Sequence, residues 1–251
     1  NKSIFLRPLI VFMYRKALSK SSCVFFQNER NQQFLLEERI VKARYRKVPG
    51  SGVNLVEHNF EEYPEEERVI KFLFVGRVMK EKGIDEFLCA AQRVKAIYPD
   101  TQFDIVGWLE EREYEAVLKD YQEQGIAQYH GPQTDVHSFI KNSHATVNPS
   151  YHEGMSNVLL ESASAGRPVI ASNIPGCRET FEDGVSGLAF EPRSVEDLTE
   201  KLIKFIELPY EKKKAMGIAG RRKVEKEFDR NIVIDAYMEE INKIQNALER
   251  R

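Results

Sequence analysis

The stretch Lys71-Phe72-Leu73-Phe74-Val75-Gly76-Arg77-Val78-Met79-Lys80-Glu81-Lys82-Gly83-Ile84-Asp85 decides the fold. Four apolar side chains in a row, Phe72 to Val75, mark a short strand buried on both faces. Gly76 ends the run, a cationic loop follows, and a helical pattern opens at Ile84. Strand, short loop and helix form the unit from which parallel sheets are built. The unit recurs. Strands are predicted at 71–75, 102–106, 128–130, 145–148 and 168–171, with a further short one at 187–190. Helical patterns fall between them at 84–98, 110–123, 135–142, 157–165 and 195–206. Gly76, Gly107 and Gly131 come just after the first three strands, at the carboxyl ends where such sheets bind ligands. The expectation is an α/β fold: a Rossmann-like parallel sheet with helices on both faces.

The remainder of the 251 residues bounds this reading. Apolar residues make up 42% and charged residues 30%, a composition that excludes a disordered chain. A formal net charge of -2 gives no basis for binding nucleic acid. Cys23, Cys89 and Cys177 are odd in number and widely spaced, which points to a reducing, cytoplasmic setting. The most apolar stretch, 4–14, is interrupted by Arg7 and Pro8 and is too short to span a bilayer.

Residues 1–66 read differently. A basic helical pattern at 8–19 leads to a strand at 23–27 and a second helix at 28–38, then to Val48-Pro49-Gly50-Ser51-Gly52-Val53-Asn54 and an acidic stretch at 61–67. One strand and two helices make no core of their own. The expectation is the remnant of an N-terminal, acceptor-side domain plus linker (1–66), a nucleotide-sugar-binding domain (67–230) and a C-terminal helix (231–251). The chain starts without methionine and reads as cut from something longer. Lys2, Arg7, Arg15, Lys16 and Lys20 mix with Ile4, Phe5, Leu9, Phe12 and Met13, and no acidic residue precedes Glu29. Such a helix suits peripheral contact with an anionic bilayer, or packing within a domain.

Two loops carry chemistry. In Tyr151-His152-Glu153-Gly154-Met155-Ser156-Asn157-Val158-Leu159-Leu160-Glu161, a strand end passes through a tight loop into a helix that Ser156 or Asn157 can cap. A helix N-terminus presents unpaired N–H groups and the positive dipole end, which suits a phosphate. In the first loop, Arg77 offers a bidentate fork and Lys82 a point charge for phosphate oxygens. There is no Walker A sequence, no Asp-x-Asp, no Gly-x-Ser-x-Gly and no metal-ligand spacing among the five histidines.

The run from Tyr151 to Glu179 resembles the signature of family 4 glycosyltransferases, with its Glu-x7-Glu element at Glu153 and Glu161. The loop at 74–83 and Asp183-Gly184-Val185-Ser186-Gly187-Leu188 are similar to further family motifs. The nearest likeness is to bacterial enzymes that build capsule, O-antigen (lipopolysaccharide) and other surface polysaccharides on a polyprenyl-diphosphate carrier. The resemblance implies the C-terminal, donor-binding half of a GT-B fold. It implies a retaining transferase that moves a hexose or N-acetylhexosamine from a UDP-sugar to a lipid-linked or glycan acceptor, at the inner face of the plasma membrane. By that likeness Arg77 and Lys82 hold the diphosphate and Glu161 the ribose. Glu153 faces the transferred sugar as the catalytic carboxylate, and Gly154, Met155, Ser156, Asn157 and Val158 cap the phosphates. No cofactor or metal is implied, since the basic pair and the helix dipole stabilise the departing UDP. The donor half alone is expected to bind without transferring. The alternatives are another GT-B nucleotide-sugar enzyme, such as an epimerase, and a non-catalytic nucleotide-sugar-binding module.

Overall fold

A computed structural model describes residues 2–66 and 69–250, with side chains from residue 6 onward. Two compact units result. One is formed by the residues up to Gly52 together with those from Asp229, the other by Val53–Phe228.

In the smaller unit, α1 (Lys2–Leu18), β1 (Cys23–Phe26), α2 (Glu29–Glu37) and β2 (Arg44–Lys47) precede the terminal helix Arg230–Glu249. Sequence reading places one strand here; the structure has two, paired in parallel with Cys23 opposite Arg44. The Arg-Tyr-Arg-Lys of β2 is largely exposed, so it is a strand by its backbone ladder and leaves no apolar trace in the sequence. Val11, Phe26, Ile40 and Val41 form one small core and Val48, Val233 and Ala236 another. The terminal helix therefore belongs to this unit rather than lying as a solvated cap. Arg46 ties it down through Glu239 at 2.7 Å. No helix among the described residues is long and apolar enough to cross a membrane. The side chains of Lys2, Ile4 and Phe5 lie outside the described residues.

The larger unit continues with β3 (Ile70–Val75), α3 (Ile84–Ile97), β4 (Thr101–Val106), α4 (Tyr114–Glu123), β5 (Gln128–Tyr129) and α5 (Val136–Asn142). It closes with β6 (Ala145–Asn148), α6 (Asn157–Ser164), β7 (Val169–Ser172), β8 (Gly187–Phe190), α7 (Val195–Glu207) and α8 (Tyr210–Glu227). The six strands are all parallel in the order β5-β4-β3-β6-β7-β8. Alternate side chains divide between two faces. Phe72, Phe74, Phe103, Ile105, Val147 and Ile170 share a core with Phe87 and Leu88 of α3 and Leu198 and Leu202 of α7. Leu73 and Val106 pack with Ile140 of α5, and Val169 and Ala171 with Leu159 of α6. Near-continuous apolar strands follow from this two-sided burial.

The boundaries differ from the sequence expectation. The units part at 52/53 and 228/229 rather than at 66/67 and 230/231; Glu67 and Arg68 lie outside the described residues. The reason is that 53–66 is bound to the sheet unit along its length. Val53 N–H donates to the Phe228 carbonyl at 2.8 Å, and Val53 packs with Leu160, Ala163 and Val224. Tyr63 donates its hydroxyl to the His144 carbonyl at 3.1 Å, and Arg167 holds the carbonyls of Glu61 and Glu62.

Candidate active site

From β3 the chain winds outward through β4 and β5; from β6 it winds the opposite way through β7 and β8. The reversal falls between β3 and β6, and a crevice opens outside the carboxyl ends of strands at such a point. A cleft of about 200 Å³ occupies it. Its walls are Phe74, Val75 and Gly76 at the end of β3, Asn148 at the end of β6 and Ser150 beyond it, Lys82, Glu153, Met155 and Ser156 from the two loops, and Asn157 and Val158 opening α6.

The loops meet because one residue has no side chain. Gly83 sits at φ +73°, and a Cβ there would stand 2.1 Å from the Pro149 carbonyl oxygen. Only glycine combines that backbone with that approach. The contact continues as the Tyr151 N–H donates to the Glu81 carbonyl at 2.9 Å. Tyr151 also donates its hydroxyl to Glu86 at 2.7 Å and lies under the Arg193 guanidinium at 4.4 Å. Burial, and then the Glu86 carboxylate, push the Tyr151 phenol well above its usual range.

At the centre of the cleft Lys82 Nζ donates to Glu153 Oε1 at 2.6 Å, with the two side chains 23% and 15% exposed. Removed from most of the solvent, the two charges attract each other more than a surface pair does, against the cost of desolvating both, so losing either one strands the other. Ser156 is the N-cap residue of α6, yet its side chain makes no cap hydrogen bond. Its buried hydroxyl accepts instead from Asn148 Nδ2 at 2.8 Å, which leaves the first-turn N–H groups to other acceptors.

The structure thus brings together Lys82, Glu153, Met155, Ser156, Asn157 and Val158. Gly154 is exposed beside them. Arg77 is not among the residues lining the cleft: it is 54% exposed and faces Glu110 at 3.5 Å. Glu161, one turn into α6, also stands outside the lining, with its Oε1 3.9 Å from Nε2 of His58. Sequence reasoning missed Asn148 and Ser150 in the walls of the cleft and the Tyr151–Glu86 contact that braces its loop. The polar Asn148 at the end of the strand at 145–148 and Ser150 just beyond it were the available signal. The Glu86–Tyr151 contact had none, since 65 residues separate the pair. Among the described residues, no group of three or more His, Cys, Asp or Glu is placed to hold a metal ion.

A crevice at a topological switch point, with the Lys82–Glu153 pair inside it and a helix N-terminus at its edge, is where open α/β sheets receive their ligands. Comparison with known proteins gives the family. The model for "Glycosyl transferases group 1" matches residues 56–223, and the chain belongs to that family. The chain is 25% identical over 250 residues to the N,N'-diacetylbacillosaminyl-diphospho-undecaprenol alpha-1,3-N-acetylgalactosaminyltransferase of Campylobacter jejuni. That match covers 94% of the chain and 64% of the relative. Sucrose-phosphate synthase from Thermosynechococcus elongatus superposes with a TM-score of 0.76 at 23% identity, over 95% of this chain and 62% of that one. Anabaena HepE, solved with UDP and glucose, superposes with a TM-score of 0.75 at 16% identity, over 93% and 67%. The chain therefore spans about two thirds of the length of these proteins. The fold is that of the GT-B glycosyltransferases, with the parallel six-stranded sheet as its C-terminal Rossmann-like unit.

Proposed function

We propose that the protein is the donor-binding part of a retaining glycosyltransferase that takes a hexose or N-acetylhexosamine from a UDP-sugar. The observation that carries this reading is the Lys82–Glu153 pair set in the switch-point cleft at the N-terminus of α6. A diphosphate seated there meets the Lys82 ammonium and the first-turn N–H groups. Both oppose the negative charge that develops as the glycosidic bond to phosphate breaks. Glu153, relieved of Lys82 by the diphosphate, is then free to face the sugar, while Glu161 takes the ribose hydroxyls and Arg77 turns in from the rim. Lysine and helix dipole fill the role a divalent ion would otherwise have, so the reaction is proposed to be metal-independent. The nucleotide is favoured by HepE, whose structure holds UDP and glucose. The acceptor class is favoured by the Campylobacter relative, whose name places it on a diphospho-undecaprenol glycan. A lipid-linked acceptor and a role in surface-polysaccharide synthesis at the cytoplasmic face of the membrane are proposed on that basis.

Thermal denaturation against a panel of UDP-, GDP- and ADP-sugars, with and without EDTA, tests the donor. UDP-sugars are expected to raise the melting temperature whether or not EDTA is present. At 100-fold excess over Kd, mass action gives about 2.7 kcal/mol. Equal shifts from all three nucleotides, or loss of the shift in EDTA, count against the reading.

Membrane contact is proposed through α1. Leu6, Leu9, Phe12 and Met13 are exposed there among Arg15 and Lys16, Lys20 follows just past its end, and no acidic residue occurs before Glu29. Flotation with anionic vesicles is expected to carry the protein at low salt and to release it at high salt. Failure to float at low salt removes this part of the proposal.

A further inference from the structure

His58 lies on the segment 53–66, outside the motifs singled out in the sequence, and three elements fix its place. Its N–H donates to the Asn54 carbonyl at 2.9 Å. Its own carbonyl accepts from Ser164 Oγ at 2.5 Å and from Arg221 Nη1 at 3.1 Å. Ser164 is fully buried and sits three residues beyond Glu161 on α6, so the helix that carries Glu161 also holds the backbone of His58. Arg221, from α8, is locked in turn by the Ser164 carbonyl at 2.8 Å and by Glu225 at 2.7 Å. With its backbone held from two helices and its side chain only 16% exposed, the ring has little room to leave its neighbour.

That neighbour is the Glu161 carboxylate, 3.9 Å from the His58 ring nitrogen Nε2. The ring of His137 is 5.8 Å from that of His58, centre to centre. His137 Nε2 lies 3.2 Å from Glu61 Oε1, and Lys141 Nζ lies 3.0 Å from Glu61 Oε2. The links run Glu161–His58–His137–Glu61–Lys141, two imidazoles between two carboxylates. Lys141 holds the Glu61 carboxyl below its usual range, so that end of the chain stays anionic through the range in which histidine titrates. The charged and titratable groups around His58 are thus Glu161 on α6, His137 and Lys141 on α5, Arg221 and Glu225 on α8, and Glu57 and Glu61 on its own segment.

We propose that His58 is a positioning residue for the donor nucleoside diphosphate. Its ring keeps the Glu161 carboxylate turned to the ribose hydroxyls, and its protonation strengthens binding by offsetting the Glu161 charge next to a polyanion. This rests on the reading that Glu161 takes the ribose. A carboxylate offers about four acceptor sites, so an imidazole 3.9 Å from one oxygen leaves room for two hydroxyls. The charge of an ordinary histidine changes near pH 6.5, so the effect is sought by comparing roughly pH 6 with pH 8. UDP titrates in the same range, and the effect is therefore read as a ratio to variants that lack the imidazole.

The experiment is calorimetry with UDP at roughly pH 6 and pH 8 on the wild type, His58→Gln, His58→Asn and Glu161→Ala, with melting curves for each. Glu161→Ala is expected to weaken UDP about tenfold or more at both pH values. On going to the lower pH, the wild type is expected to gain about threefold more affinity than either His58 variant. Unchanged affinity in Glu161→Ala overturns the ribose reading itself, and the role of His58 with it. A weakened Glu161→Ala beside parallel pH profiles for wild type and His58 variants overturns the role of His58 alone. If both His58 variants melt, NMR titration of the five histidine ring protons of the wild type decides. One midpoint is expected to rise when UDP is added; if none rises, the proposal falls.

Discussion

Replacing Lys82 by methionine is expected to weaken UDP binding by about 1.5–3 kcal/mol, the range for a hydrogen bond to a charged group. Two effects act in one direction. The diphosphate loses its ammonium partner, and Glu153, only 15% exposed, is left without the cation that stood 2.6 Å away. The stranded carboxylate then repels the incoming phosphates. The sign of the second effect can be isolated. Glu153→Gln alone removes a competitor for Lys82 and is expected to leave UDP affinity unchanged or slightly tighter. The double variant Lys82→Met/Glu153→Gln is expected to bind better than Lys82→Met by about 1 kcal/mol, the coupling typical of contacting charges. Calorimetry on the four proteins closes the cycle. A Lys82→Met protein within twofold of wild type removes Lys82 from the phosphate site.

The second large effect concerns stability. Arg167 is fully buried, and among the described residues no carboxylate forms an ion pair with its guanidinium; it donates to backbone carbonyls instead. Nη1 reaches Glu61 at 3.0 Å and Ala165 at 3.0 Å, Nη2 reaches Glu62 at 2.7 Å and Lys141 at 2.7 Å, and the Tyr63 ring lies 5.7 Å from the guanidinium carbon. Burial pulls its pKa down to about 10, which still leaves it charged at neutral pH. Arg167→Met fills a similar volume but strands these carbonyls. Unsatisfied buried groups cost about 1–3 kcal/mol each and do not add fully, so the expected loss is about 4 kcal/mol. For a unit with about 5–15 kcal/mol in total, that is a large fraction. The melting temperature is expected to fall by about 10 °C, and 53–66, the segment that carries His58, to exchange its amides faster. A melting curve within about 2 °C of wild type would show that these carbonyls find other donors.

The sheet was legible because burial on both faces writes itself as runs such as Phe72 to Val75 and Ala145 to Val147. Each predicted strand of the larger unit is present within a residue or two. The helices were legible through their period, and Gly83 and Gly107 through the turns they permit. Lys82, Glu153 and the N-terminus of α6 could be assigned to one site because both loops leave the carboxyl ends of parallel strands. β2 was invisible, since Arg44 to Lys47 form a strand through pairing with β1 and not through an apolar face. The division at 52/53 was also hidden. It depends on hydrogen bonds from Arg167 and Tyr63, more than 80 residues along the chain from their partners or acceptors.

Local pattern, in this protein, determined the strands of the larger sheet, their direction and the two loops that carry charge, because side-chain periodicity and turn chemistry act over a few residues. Tertiary structure alone decided which charges meet. Lys82 turns to Glu153 while Arg77, five residues earlier, turns to Glu110, and His58 arrives beside Glu161 from a segment that reads as a linker. Those choices are made by backbone contacts such as Gly83 on Pro149 and Arg221 on His58, between residues 66 and 163 positions apart. No spacing in the sequence encodes them.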